Sequence, residues 1–171
     1  MVLLLVNYEF DEKYGIIKDK ATGERCFIVY KTGMEAIFKG LSRIFDSRID
    51  ILLRESSLAS SKNIAESIKK KGKNNVKLLL SAYTERFAQN GFGRLEISEF
   101  DSDKSRVRIR VWNNLFAEMR QGESTYCRYL EGMFSGLYED IFHASPVVKE
   151  VKCIGKRDTY CEFLLAPNFF R

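Results

Sequence analysis

The apolar positions of this chain repeat with two different periods, and the changes of period mark its elements. Residues 94–100 and 106–112 alternate apolar with polar side chains, as strands buried on one face do. Asp101, Ser102, Asp103, Lys104 and Ser105 between them are turn formers, so the pair reads as a hairpin. A second hairpin is predicted from residues 14–17 and 26–30 around a turn at 20–23, and a third from 150–153 and 160–165 around Gly155, Lys156, Arg157 and Asp158.

Elsewhere the period lengthens. Met34, Ile37, Phe38, Leu41, Ile44 and Phe45 recur at three- and four-residue steps after Thr32, a capping residue. Val76, Leu79, Leu80, Tyr83 and Phe87 predict a helix over 75–90, stopped by Asn90 and Gly91. Tyr126, Tyr129, Leu130, Met133, Phe134, Leu137, Tyr138 and Ile141 predict another after Glu123, which Pro146 prevents from continuing. Residues 49–53 are too few to assign. The serines of 56–61 read as capping chemistry for a helix from near Ser60 that turns Ile64, Ala65 and Ile68 inward. Strand pairs separated by helices, without βαβ alternation, predict the α+β class, an antiparallel sheet of hairpins packed with helices, as one domain over 1–171.

Composition agrees with that reading: 171 residues at 45% hydrophobic content suffice for one core. Residues 1–6 are apolar but too few to span a bilayer, and no other stretch is longer, so no membrane span and a cytoplasmic location are expected. The net charge is +5, and Lys69, Lys70, Lys71 and Lys73 form the densest basic run. These sit where a helix would end and complement its dipole, although such a run can also contact phosphate. Arg106, Arg108 and Arg110 line the polar face of a strand. No recognition motif accompanies the charge, so nucleic acid is not an expected partner.

Cys127, Glu150, Cys153 and Cys161 carry the clearest candidate chemistry. The last hairpin brings Cys153 and Cys161 within reach of one ion, and three thiolates plus one carboxylate would complete a tetrahedral zinc site. Three buried free cysteines acting as small hydrophobes are the competing interpretation. Disulfides are not needed in a domain with a full core. The helix after Glu123 is rich in aromatic residues, which suits either core packing or a pocket for an apolar ligand. Gly132 and Gly136, on one face of it, permit close packing against a neighbour or leave open space. His143, the single histidine, reads as a helix-end cap or a solvated residue. No nucleophile-elbow serine and no complete dinucleotide fingerprint is present, so nothing points to an enzyme.

Cys127 on a helix with Glu131, Gly132 and Gly136, then Glu150, Cys153 and Gly155, then Asp158, Cys161 and Phe163, together resemble the 4-vinyl reductase domain. This domain also occurs in the sensor modules of aromatic-responsive bacterial transcription activators. The motif-bearing part is 120–165; over 1–120 the resemblance is architectural. It implies that Cys127, Glu150, Cys153 and Cys161 ligate one structural zinc per chain. It also implies the α+β ligand-binding fold shared by haem-based nitric-oxide sensors and Golgi vesicle-tethering subunits, a buried pocket and a homodimer. Trp112, Phe116, Tyr129, Met133 and Phe134 are the candidate pocket residues for a small hydrophobic or aromatic molecule. Two alternatives accompany this expectation: an interaction scaffold of the vesicle-tethering type, and an accessory factor in reduction of a tetrapyrrole vinyl group. Haem ligation is not expected, because His143 lies in the zinc-adjacent region.

Overall fold

The computed structural model describes residues 7–20, 23–70, 72, 75–121 and 124–168. In chain order the elements are β1 (Tyr8–Asp11), β2 (Ile16–Asp19), β3 (Arg25–Cys26), α1 (Lys31–Phe45), α2 (Ile49–Lys69) and α3 (Val76–Gln89). Then follow β4 (Arg94–Asp101), β5 (Arg106–Trp112), α4 (Leu115–Glu118), β6 (Arg120–Gln121), β7 (Ser124–Thr125), α5 (Arg128–Phe142), β8 (Pro146–Lys152) and β9 (Cys161–Pro167). The main sheet has the order β4-β5-β9-β8, every neighbour antiparallel, while β1-β2-β3 and β6-β7 form two smaller sheets. The expected α+β class with antiparallel sheets is the one observed.

Alternation places Val107, Ile109 and Val111 of β5 and Cys161, Phe163 and Leu165 of β9 on the buried face of this sheet. Burying a side chain of that size contributes about 1.5–3 kcal/mol. Against this face lies α5, buried without interruption from Leu130 to Tyr138. Such burial on every side requires a neighbour that approaches closely, and the glycine pair supplies the room. A Cβ on Gly132 would run into the Arg54 carbonyl and Ser57 Oγ; one on Gly136 would lie 2.8 Å from Leu58 O and Ser61 Cβ. Close packing is therefore what the two glycines do.

That contact explains why 49–69 is one helix. Ser57 and Ser61, expected as caps, are interior positions of α2, fully buried where Gly132 and Gly136 meet them. Small side chains four apart on both helices let the backbones approach. The true capping residues include Asn75, whose side chain accepts from Lys77 N at 2.8 Å and starts α3.

Three further expectations change. Helix α1 starts at Lys31 with Tyr30 as its N-cap and no side-chain cap bond, so Thr32 does not cap it. Strand β3 ends at Cys26, and Phe27, Ile28, Val29 and Tyr30 are exposed outside any regular element. Of the apolar stripe on α1 only Phe38 is buried; Met34 and Leu41 pack partly on the core, while Ile37, Ile44 and Phe45 face outward. The apolar residues 1–6, Ala21 and Thr22 of the first turn, Lys71 and Lys73 of the basic run, and Glu123 lie outside the described residues. Lys69, the start of that run, donates to Asp140 Oδ1 at 2.8 Å and ties the end of α2 to α5.

Candidate functional site

Four ligand-bearing residues converge where α5, β8 and β9 meet. Cys127 is the N-cap of α5, Glu150 lies in β8 just before a bulge, Cys153 follows the end of β8, and Cys161 opens β9 opposite Val111. A 3-10 turn over Ile154–Lys156 and a left-handed Arg157 (φ 76°) reverse the chain between the last two. Asp158 fixes that reversal by accepting from Cys153 N at 2.8 Å.

The ligand atoms of Cys127, Glu150, Cys153 and Cys161 all lie within 4.8 Å of one another. Sγ of Cys153 is 3.8 Å from Sγ of Cys127 and 3.9 Å from Sγ of Cys161. Thiolates about 2.3 Å from a tetrahedral ion are about 3.8 Å apart, whereas a disulfide needs about 2.05 Å. The spacing therefore suits an ion at the centre and not a bond between sulfurs.

Polar chemistry agrees. All three cysteines are buried, and Glu150 Oε1 is buried with no hydrogen-bond donor on it. Burial, then the neighbouring Cys153, pushes the Glu150 carboxyl up to about 7. Hydrogen bonds from the Cys127 and Cys161 thiols hold Cys153 well below an ordinary thiol. A buried carboxylate oxygen without a donor, beside a thiolate, is costly. A cation among the four atoms removes that cost, so the residues fit a metal ion.

Asn114 was not legible as part of this site. It is fully buried, and its Nδ2 donates to Cys161 Sγ at 3.2 Å and to Cys127 Sγ at 3.6 Å. Its Oδ1 accepts from Phe116 N at 3.0 Å and caps α4. The signal available was an asparagine immediately before a short apolar run, the pattern of a helix N-cap. Gly93 makes its placement possible: at φ 124° it passes so close to β5 that a Cβ would lie 2.5 Å from Trp112 O and 2.7 Å from Asn113 O.

From α4 the aromatic cluster begins. The Phe116 ring stacks on Tyr129 of α5 at 4.5 Å and 17°, with Phe92 5.3 Å from Phe116 and 6.4 Å from Tyr129. Phe87 continues it to Phe92 at 5.5 Å and to Phe134 at 6.3 Å, and Phe134 meets Phe163 at 5.0 Å. Two phenols bring polarity inside. Tyr129 is bonded to Ser60, and Tyr83 donates to Met133 O at 3.3 Å with Ser61 Oγ 2.8 Å away. Burial raises both phenolic pKa values.

The structure thus brings together Phe116, Tyr129, Met133 and Phe134, all in the core or packed on it. Trp112 stands apart from them. It projects from the outer face of the sheet, where the Arg94 guanidinium lies 3.9 Å over its ring and Tyr160 lies 5.3 Å away. On the same face Arg108 and Arg110 bond the buried Glu162 at 3.1 and 2.8 Å, so two arginines of the basic strand serve to hold β5 to β9. His143 caps α5 with φ 53° and lines an open cleft of ≈460 Å³ with Lys62, Glu66, Glu139, Asp140, Ala144 and Ser145. No described helix is long and apolar enough to cross a membrane.

No protein-family model matches the chain. A stretch of 77 residues is 35% identical to an uncharacterised protein of Methanocaldococcus jannaschii, covering 45% of this chain and 40% of that one. Among solved structures, the phenol-responsive sensory domain of the transcription activator PoxR, bound to phenol, superposes with a TM-score of 0.78 at 14% identity over 94% of this chain and 85% of that one. A vinyl-4-reductase family protein from Methanocaldococcus jannaschii superposes at 0.56, with 20% identity over 84% of each chain. A trafficking protein particle complex subunit from Naegleria fowleri, covalently bound to palmitic acid, superposes at 0.52 with 12% identity over 81% of this chain and 95% of that one. H-NOX proteins, including one from S. oneidensis at 0.58 and 9% identity over 83% of this chain and 78% of that one, share the fold as well. The fold expected from the 4-vinyl reductase resemblance is the fold the chain has.

Proposed function

We propose that this chain is a zinc-stabilised domain that binds a small hydrophobic or aromatic molecule and acts as a sensor module, working as a homodimer. The observation that carries the reading is the position of the four-ligand cluster. It clasps β8 and β9 to the start of α5, one turn from the Phe116–Tyr129 stack that lies on the interior aromatic cluster. Cys127, Cys153, Cys161 and Glu150 would hold zinc, which in a four-ligand site supplies a fixed cross-link and no open position for substrate.

The aromatic cluster has the chemistry of an apolar ligand site. Rings of Phe92, Phe116 and Tyr129 offer stacking faces, and the Tyr129 hydroxyl with Ser60 offers one polar contact. A ligand entering between Phe116 and Tyr129 must replace a ring pair worth about 0.5–1.5 kcal/mol, a cost its own stacking can return. The phenol-responsive and H-NOX sensors of the same fold, and the palmitoylated trafficking subunit, lend the reading their own occupants.

Native mass spectrometry before and after mild organic extraction tests it. A small-molecule mass that leaves on extraction supports the binding domain. Repeated recovery of the zinc-loaded protein with no such mass, and no binding to a panel of phenols and fatty acids, would rule it out.

A further inference from the structure

Asn114 joins two parts of the molecule that are otherwise separate in function. One end of its side chain, Nδ2, rests on two of the three thiols; the other, Oδ1, accepts from Phe116 N, the second amide of α4. The helix it starts is only Leu115–Glu118, and such a turn has little stability of its own. Its other supports are backbone bonds: Leu115 N donates to Phe92 O at 3.2 Å, Ala117 N and Glu118 N donate to Asn114 O at 3.1 Å, Met119 N donates to Leu115 O at 3.1 Å, and Phe116 O accepts from Tyr126 N at 3.3 Å. Phe116, held by that turn, is the ring that stacks on Tyr129.

We propose that Asn114 is a positioning residue through which metal occupancy sets the geometry of the aromatic cluster, so that the metal is an effector of ligand binding as well as a fastener. This rests on the zinc-binding reading above. Three thiolates and a carboxylate leave a bound divalent ion with two surplus negative charges, and N–H donors to sulfur offset part of them. The amide face of Asn114 is therefore oriented toward the sulfurs when they are thiolates gathered on an ion. Orienting Nδ2 orients Oδ1, because the amide is planar. Loss of the ion lets the sulfurs separate, the amide turns, and the Phe116 N–H loses its acceptor. The Phe116–Tyr129 stack then loosens. Coupling of this kind is reciprocal: a ligand that tightens the stack also retards metal loss.

Two substitutions separate the ends of the side chain. Asn114→Ser keeps an acceptor for the cap and loses the amide donors; Asn114→Ala loses both. The experiment is amide hydrogen exchange across 113–119 on the whole protein, loaded with zinc and stripped by chelator, with zinc content measured in parallel. In the wild type, stripping is expected to speed exchange at Phe116, Ala117 and Glu118 by about tenfold or more while amides in α3 keep their protection. Asn114→Ser should still bind about one zinc per chain, yet exchange at these amides should respond less than twofold to stripping, whereas in Asn114→Ala it should already be fast in the loaded form. Its zinc should also leave several-fold faster to a competing chelator.

Unchanged protection in stripped wild type that had held one zinc would overturn the coupling and leave the metal site standing. A wild-type response to stripping and wild-type zinc release in Asn114→Ser would do the same. A wild type that never holds zinc would instead remove the reading on which the coupling rests.

Discussion

Cys153 stands between the other two thiols at 3.8 and 3.9 Å, so its sulfur cannot be lost without opening the ligand set. Cys153→Ser is expected to reduce metal content from about one per chain to near zero. Apparent metal-binding energies of about 10–16 kcal/mol in peptides that fold only with zinc are an upper bound here, because a separate core remains. A fall in Tm of at least about 5 °C is expected, read by thermal unfolding with and without chelator. Glu162 carries a prediction in pH. Burial alone would raise its carboxyl, but hydrogen bonds from Arg110 and Arg108 outweigh it and hold the group below its ordinary value. A depressed folded pKa means its contribution is complete above the unfolded value of about 4.3 and is lost as pH falls through the folded one. Denaturant melts of wild type and Glu162→Gln should therefore differ at pH 7 and converge as pH falls below the unfolded value. At this scale the ligands were legible because residue type and spacing alone point to a metal. Asn114 and Glu162 were not, since their partners lie 47 and 52 positions away and only the fold reveals them.

Helix pairing carries the next level of the structure, and its signature is the match between Gly132 and Gly136 on α5 and Ser57 and Ser61 on α2. Gly136→Ala is expected to cost about 1–3 kcal/mol, as overpacking does, and Gly132→Ala more, because its Cβ would press on the Arg54 carbonyl and Ser57 Oγ far more closely than the 2.8 Å approach at Gly136. Denaturant unfolding of the two variants gives that order or refutes it. Tyr83→Phe at the same junction leaves Ser61 and the Met133 carbonyl without the phenol and should cost about 1–3 kcal/mol. The glycine pair could be read from the sequence as a close-packing face. Its partner could not, because serines in the middle of a helix look like caps until a second helix is seen to press on them. The apolar run at 27–30 misled for a related reason. Its composition is that of a strand, yet β3 ends at Cys26 and no described strand pairs with residues 27–30.

For the molecule as a whole, class was legible and connectivity was not. Three hairpins and the helices between them announce an α+β domain, but the pairing of β5 with β9, which carries Cys161 to the site, follows from no local pattern. The same view shows what remains uncovered: Phe27 and Tyr30 are each 81% exposed, and Ile44 is 72% exposed. The homodimer proposed above would cover these residues, so Ile37→Glu combined with Ile44→Glu is expected to shift sedimentation from dimer to monomer without loss of metal. An unchanged dimer would place its interface elsewhere. The central claim, that Cys127, Glu150, Cys153 and Cys161 close around one zinc, is tested most directly by X-ray absorption at the zinc edge of protein purified without chelator. The account predicts about three sulfurs at about 2.3 Å and one oxygen at about 2.0–2.2 Å. A shell of light atoms only, or protein without zinc, would contradict it.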